Sequence, residues 1–154
     1  MLIDWLTDSG TGAMSSRQWG AIMEGDESYA GARSFYRLEK VIQDITGMPH
    51  FVPTHQGRAA EKVLFSAVCK AGDVVPNNCH FDTTRGNLES MGVQALDLEA
   101  AVGLQPATLH PFKGNMDVAK LRDVIGLHGA DKIAFVRMEA GTNLIGGQPF
   151  SLAN

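Results

Sequence analysis

Apolar residues at Phe35, Leu38, Ile42 and Ile45 recur at helical spacing, which predicts a helix from Gly31 to Thr46 stopped by Gly47. A second stripe, Ala60, Val63, Leu64, Ala67 and Val68, predicts a helix just after Gln56-Gly57-Arg58. Ahead of it, His50 to Thr54 is short and β-prone, so this stretch reads as strand, glycine turn, helix. Both stripes are read as core faces. Upstream, a glycine-rich loop from Thr7 to Gly12 feeds a short helix through about Met23, opened by a capping box at Ser15 to Gln18.

Downstream, Asp73 to Pro76 predicts a short strand ended by its proline, followed by a polar turn at Asn77-Asn78. A helix is expected around Asn87 to Met91 and a strand from Val93 to Leu98. Asp117 can cap a helix carrying Val118, Leu121, Val124 and Ile125, and Ile133 to Val136 reads as a buried strand. Gly146 to Pro149 reads as a turn, and Ser151 as the N-cap of a helix that would need residues after Asn154. Strands alternating with helices predict an α/β fold with a mainly parallel sheet, because parallel neighbours need crossover connections. A sheet ended at that point would keep an open edge or face, so the expectation is a fragment of a longer chain.

The 154 residues are 44% hydrophobic and 19% charged, as in a soluble domain. A net charge of −4 argues against a nucleic-acid partner but leaves room for a local anion site. No apolar run reaches the ~20 residues a membrane span needs, and Met1 to Asp8 lacks the basic flank of a signal peptide. Cys69 and Cys79 are too far apart for C-x-x-C and too few for a disulfide framework. A reducing, cytoplasmic setting is the expectation. The five histidines show no metal-ligand spacing, and only His55 lies beside a candidate site.

That candidate is Thr54-His55-Gln56-Gly57-Arg58, where a predicted helix begins. Free N–H groups and the positive end of the helix favour an anion there, by ~0.3–1 kcal/mol for the dipole alone. Gly57 would let a phosphate approach, Arg58 would add a charge-assisted bond and Gln56 a neutral donor. An ordinary turn glycine beside a solvated arginine fits the spacing equally well. No Walker A sequence and no G-x-G-x-x-G supports nucleotide binding.

The wording of the chain is more specific. Leu6-Thr7-Asp8-Ser9-Gly10-Thr11, Gly25-Asp26-Glu27-Ser28-Tyr29-Ala30-Gly31, Pro53-Thr54-His55-Gln56-Gly57-Arg58, Phe81-Asp82-Thr83-Thr84, Pro111-Phe112-Lys113-Gly114-Asn115 and Gly146-Gly147-Gln148-Pro149 resemble the β-eliminating lyases, the family of tryptophanase and tyrosine phenol-lyase. The blocks fall in the family's order and span essentially the whole chain. The resemblance implies the aspartate-aminotransferase-like fold (fold type I) of pyridoxal 5′-phosphate (PLP) enzymes and β-elimination of an aromatic amino acid to give pyruvate and ammonia. It implies a loop-and-helix segment at residues 1–30 serving a subunit interface, and an incomplete cofactor-binding large domain at 31–154. A homotetramer is implied for the complete family protein.

Carried over by position, the resemblance assigns Gln56, Gly57 and Arg58 to the cofactor phosphate and Phe81 to stacking on the pyridine ring. Asn143 would contact the cofactor's phenolic oxygen or the substrate carboxylate. Tyr29 becomes a general acid toward the leaving group, and Thr7 and Ser9 lie near the substrate carboxylate. Glu27 and the carbonyl of Gly10 would hold a monovalent cation such as K+. Asp82 follows the stacking aromatic as an acid does in tryptophanases, where it could accept an indole N–H. Arg85 is closer to the phenol-lyase pattern, so tyrosine remains the alternative substrate.

The family's cofactor-binding lysine lies in a Ser-x-Lys-Lys setting that this sequence lacks, as it lacks the family's pyridinium aspartate and carboxylate-clamping arginine. Lys40, Lys62, Lys70, Lys113, Lys120 and Lys132 read instead as solvated surface lysines. The chain alone is therefore expected to be inactive. An inactive fragment that binds phosphate or serves as an interaction module is the other reading.

Overall fold

The computed structural model describes residues 14–26 and 31–154. The chain divides into two units, Met1–Val52 and Pro53–Asn154. In the first, α1 (Ser16–Glu24) starts at the expected capping box: Ser15 Oγ accepts from the Gln18 amide at 3.2 Å, and the Gln18 side chain accepts from the Ser15 amide at 2.8 Å. Helix α2 (Arg33–Thr46) stops at Gly47, which takes the left-handed conformation (φ 70°). Its start has no cap from Ala32. The Asp26 carboxylate supplies one, accepting from the amides of Arg33 at 2.6 Å and Ser34 at 2.9 Å. Bonds from Ser34, then Arg33, hold the Asp26 carboxyl well below the usual carboxylate range.

The apolar stripe of α2, expected to be core, is not. No residue of α2 is buried, and Ile45 is 76% exposed. Phe35 finds ring partners in Tyr36 and Phe51, but a stripe becomes core only where a second element covers it, and no described residue of this unit does so.

The second unit contains α3 (Gly57–Val68), β1 (Val74–Asn77), α4 (Asp82–Glu89), β2 (Gln94–Asp97) and α5 (Val118–His128), with short 3-10 turns between. β1 and β2 pair in parallel, Val74 opposite Gln94 and Asn77 opposite Asp97. Phe65, Val75, Leu88, Val93 and Ala95 form the core, with Phe135 stacked on Phe65 at 5.7 Å between ring centres. Helix α3 reaches this core through Phe65, which is not part of the expected stripe, while Ala60, Val63, Leu64, Ala67 and Val68 are exposed, again against expectation. Asp117 caps α5 as expected, accepting from the amides of Ala119 and Lys120 at 3.1 Å each.

Four local predictions differ from the structure. His50 to Thr54 forms no strand; no ladder partner bonds to it among the described residues. Ile133 to Val136 is only partly a strand. It meets β1 through two parallel bridges, Val74 to Ile133 and Asn77 to Arg137. The Val74 and Pro76 carbonyls accept from Ala134 and Arg137, but Pro76 has no N–H to return, and three residues on one side face two on the other. Helix α4 begins at Asp82, not near Asn87, because Phe81 takes an extended backbone (φ −67°, ψ 153°) and serves as its N-cap residue. Asn77, expected in a turn, is the last residue of β1.

Candidate functional site

The first turn of α3 carries the expected anion donors. Gln56 precedes it with extended backbone, and its carbonyl accepts from Ala59 and Ala60, leaving the amides of Gly57 and Arg58 without an acceptor among the described residues. Gly57 is not in the left-handed region, and a Cβ there would meet nothing within 4 Å. Neither the turn nor the packing of the described residues therefore requires glycine at this position. The Arg58 side chain is exposed and pairs with no carboxylate among the described residues, while its carbonyl accepts from Asn87 on α4 at 3.1 Å. His55 is exposed and makes no hydrogen bond there.

Phe81 is half-buried and lies outside the core cluster, so it is not the core strand residue that local sequence would suggest. Its amide donates to Glu139 Oε2 at 3.2 Å. The other oxygen of Glu139 accepts from the Asn143 amide at 3.0 Å, at the start of a 3-10 turn that leaves the Asn143 side chain exposed. Arg137 Nη1 lies 3.3 Å from Glu139 Oε2, and its Nη2 lies 3.1 Å from Glu61 Oε1 on α3. Glu61 also accepts from the Thr84 hydroxyl of α4 at 2.7 Å. The chain of contacts thus runs from α3 through two carboxylates and a guanidinium to the backbone of Phe81 and Asn143. Glu61, Arg137 and Glu139 were not marked by sequence; their partners lie up to 76 residues away, and no local pattern announces such contacts.

Asp82 is exposed in the first turn of α4, where a carboxylate suits the helix dipole, and it has no hydrogen-bond partner among the described residues. Arg85 is committed elsewhere: it bonds to the Ala95 carbonyl, Glu89 and Asp97. Asp97 in turn accepts from the amide and ring Nδ1 of His80, at 2.8 and 2.7 Å. Burial would raise the Asp97 carboxyl, yet the His80 bonds and the Arg85 guanidinium hold it below its ordinary value. His80 is fully buried; desolvation pushes its imidazole down despite Asp97, and the neutral ring leaves Nε2 unpartnered. Cys79 is no nucleophile, since burial first and nearby carboxylates second push its thiol up to about 11.

The Pro111–Asn115 and Gly146–Pro149 blocks pack against each other. The Gly114 amide donates to the Pro149 carbonyl at 2.9 Å, and a Cβ on Gly114 would fall 2.6 Å from Thr142 Oγ1. Buried Asn78 binds this junction together, its Nδ2 donating to Gly114 O, Glu139 O and Thr142 Oγ1, and its Oδ1 accepting from the Glu139 amide. Lys113 is not the solvated lysine expected. It is 7% exposed, and its ammonium donates to the carbonyls of Gln105 at 2.6 Å and Pro106 at 3.3 Å, which replace water around the charge. Thr7, Ser9, Gly10, Glu27 and Tyr29 lie outside the described residues. No described helix is long and apolar enough to cross a membrane.

Comparison with known proteins agrees with the motif resemblance. The family model "Beta-eliminating lyase" matches residues 4–154. Over 154 residues the chain is 57% identical to a tryptophanase of Hyphomonas neptunium and 54% identical to one of Rhodobacter capsulatus, covering 100% of this chain and 34% of each relative. It is 51% identical over 152 residues to a tyrosine phenol-lyase of Symbiobacterium thermophilum, covering 99% of this chain and 33% of the relative. The chain thus spans about a third of the length of the curated relatives it matches. With the family model matching nearly every residue, the chain belongs to the β-eliminating lyase family.

Proposed function

We propose that this chain is the N-terminal, cofactor-phosphate-binding part of a fold type I PLP-dependent carbon–carbon lyase, acting on an aromatic amino acid. The observation that carries the reading is the first turn of α3: two amides without an acceptor, an arginine without a carboxylate and a glycine with open space at its Cβ position, all among the described residues. A glycine there leaves room for close approach of a group from outside the chain, and the donor set suits a phosphate. When bound, PLP supplies the electron sink for cleavage at Cβ.

In this reading Gln56, Gly57 and Arg58 would hold the phosphate, Phe81 would stack on the pyridine ring, and Asn143 would contact the cofactor's phenolic oxygen or the substrate carboxylate. Tyr29 delivers a proton to the leaving group, Thr7 and Ser9 orient the substrate carboxylate, and Glu27 with the Gly10 carbonyl holds K+. Residues 1–30 serve a subunit interface of a cytoplasmic homotetramer, and 31–154 belong to the cofactor domain. The covalent lysine comes from outside these residues, since Lys113 is tied to two carbonyls and the other lysines are exposed. Tryptophan is the favoured substrate because Asp82 is an acceptor without a partner among the described residues and Arg85, the phenol-lyase-like residue, is bound to Asp97.

Titration calorimetry with pyridoxal phosphate tests the reading. Arg58→Ala should weaken binding about tenfold, as expected for loss of one charge-assisted bond. Unchanged affinity would remove the assigned site.

A further inference from the structure

The geometry points to Glu139 as a positioning residue that holds the ring-stacking and edge-contacting residues of the cofactor site in one fixed relation. The inference rests on the proposed roles of Phe81 and Asn143. Its physical basis is the division of one carboxylate between two backbone amides, Oε2 to Phe81 at 3.2 Å and Oε1 to Asn143 at 3.0 Å. These residues are 62 positions apart, and neither side chain touches Glu139 through a hydrogen bond. What Glu139 fixes is the backbone from which each side chain projects.

The clamp is itself held at both ends. The Glu139 amide donates to Asn78 Oδ1 at 2.7 Å, and its carbonyl accepts from Asn78 Nδ2 at 3.1 Å and from the Thr142 hydroxyl at 3.2 Å. Its carboxylate is only 13% exposed and is neutralised by Arg137 at 3.3 Å. Arg137 carries the connection on to Glu61 of α3, one turn beyond the phosphate donors. A carboxylate is required here because both oxygens act as acceptors, whereas a carboxamide offers one oxygen and would leave an amide unpaired. Sub-ångström placement of ring contacts is where such a device acts on binding and rate.

The test is Glu139→Gln in the intact protein, with two readouts. Amide hydrogen exchange of Phe81 and Asn143 should accelerate while the core amides of Val75 and Leu88 keep their protection, and affinity for pyridoxal phosphate should fall about tenfold, the scale of a lost bond to a charged group. Affinity for inorganic phosphate, which reads the α3 turn alone, should be retained. Should this variant not fold, Glu139→Asp serves the same purpose: it keeps the charge beside Arg137 with an arm too short to bridge both amides. Wild-type exchange and pyridoxal phosphate affinity in the variant would overturn the inference and leave the proposed function standing. Faster exchange with unchanged pyridoxal phosphate affinity would make Glu139 a structural brace and overturn it as well. Failure of the unmodified protein to bind pyridoxal phosphate at all would overturn the proposed function, and this inference with it.

Discussion

Gly114→Ala tests whether the two late sequence blocks are as tightly docked as their contacts indicate. An added Cβ would lie 2.6 Å from Thr142 Oγ1 and 2.9 Å from the Pro149 carbonyl carbon, and would press on the Gln148 carbonyl oxygen. Two of these three are backbone atoms, which cannot swing aside. Relief requires residues 112–115 to retreat from 142–149, which breaks the Gly114 amide bond to Pro149 and the Asn78 bond to the Gly114 carbonyl. Asn78 keeps other acceptors, so that loss is about 1 kcal/mol, while a buried amide left unpaired adds about 1–3 kcal/mol. Gly114 does not have positive φ, so alanine also narrows the unfolded ensemble and returns about 0.4–1 kcal/mol. The balance is a destabilisation of about 1–3 kcal/mol. Urea denaturation followed by circular dichroism should show a midpoint lowered by roughly 1 M, given slopes of about 1–3 kcal/mol/M. Gly126→Ala is the control of opposite sign, because it lies inside α5 with nothing within 4 Å of its Cβ. A Gly114→Ala midpoint at or above wild type would refute the reasoning.

Gly57→Ala should raise the stability of the ligand-free protein by about 0.4–1 kcal/mol and weaken phosphate binding; loss of stability without ligand would show that the chain itself needs this glycine. Acidification should destabilise the fold in two stages, since the His80 and Asp97 pKa values are both lowered by folding. Their contributions are complete above the unfolded values, 6.5 and 3.8, and are lost as pH falls below each toward the folded value, when the unfolded chain binds the extra protons. His80→Phe should abolish the upper stage in a stability-against-pH series and shrink the lower one, since Asp97 loses the ring bond but keeps the backbone amide of residue 80 and Arg85. In the complete enzyme, Asp82→Ala should slow indole release more than elimination from an S-alkyl cysteine; equal losses on both would withdraw tryptophan as the favoured substrate.

Elements whose ends are set by neighbours in sequence were readable from it. The α1 capping box, the Gly47 stop of α2 and the Asp117 cap of α5 all act within four residues. The start of α4 was misplaced because the acceptor for the Phe81 amide is Glu139, 58 residues on, and Phe81 has no capping side chain. The α2 and α3 stripes were correctly assigned to helices but wrongly to the core, since periodicity reports which face is apolar and not what covers it. Lys113 was misread for a related reason: a lysine in a turn motif looks solvated until the carbonyls of Gln105 and Pro106 are folded over it. At the candidate site the run Gln56, Gly57 and Arg58 was legible as a local pattern, whereas Glu61 and Glu139, whose partners lie far along the chain, were not.

The blocks that carry the family resemblance perform two physically different tasks, which their hydrogen bonding separates. Pro53–Arg58 ends in free donors: two amides without an acceptor and a guanidinium without a carboxylate, among the described residues. Pro111–Asn115 and Gly146–Pro149 are engaged within the protein. Gly114 donates to Pro149, Thr142 pairs with Gln148 beside them, and Asn115 accepts from Ser151 and Ala100. Unpaired polar groups on rigid backbone are a resource for a ligand, while paired and buried ones hold the frame. Substitutions in the first block should therefore change ligand affinity at nearly constant stability, and those in the later blocks should change stability first. Through Asn78, which bonds both to Gly114 and to the backbone of Glu139, a loosened frame also reaches the backbone of Phe81 and Asn143. In the proposed reading, the order of effects on raising denaturant should then be loss of ring binding before loss of phosphate binding, because the Gly57 and Arg58 amides bond to no residue of that junction.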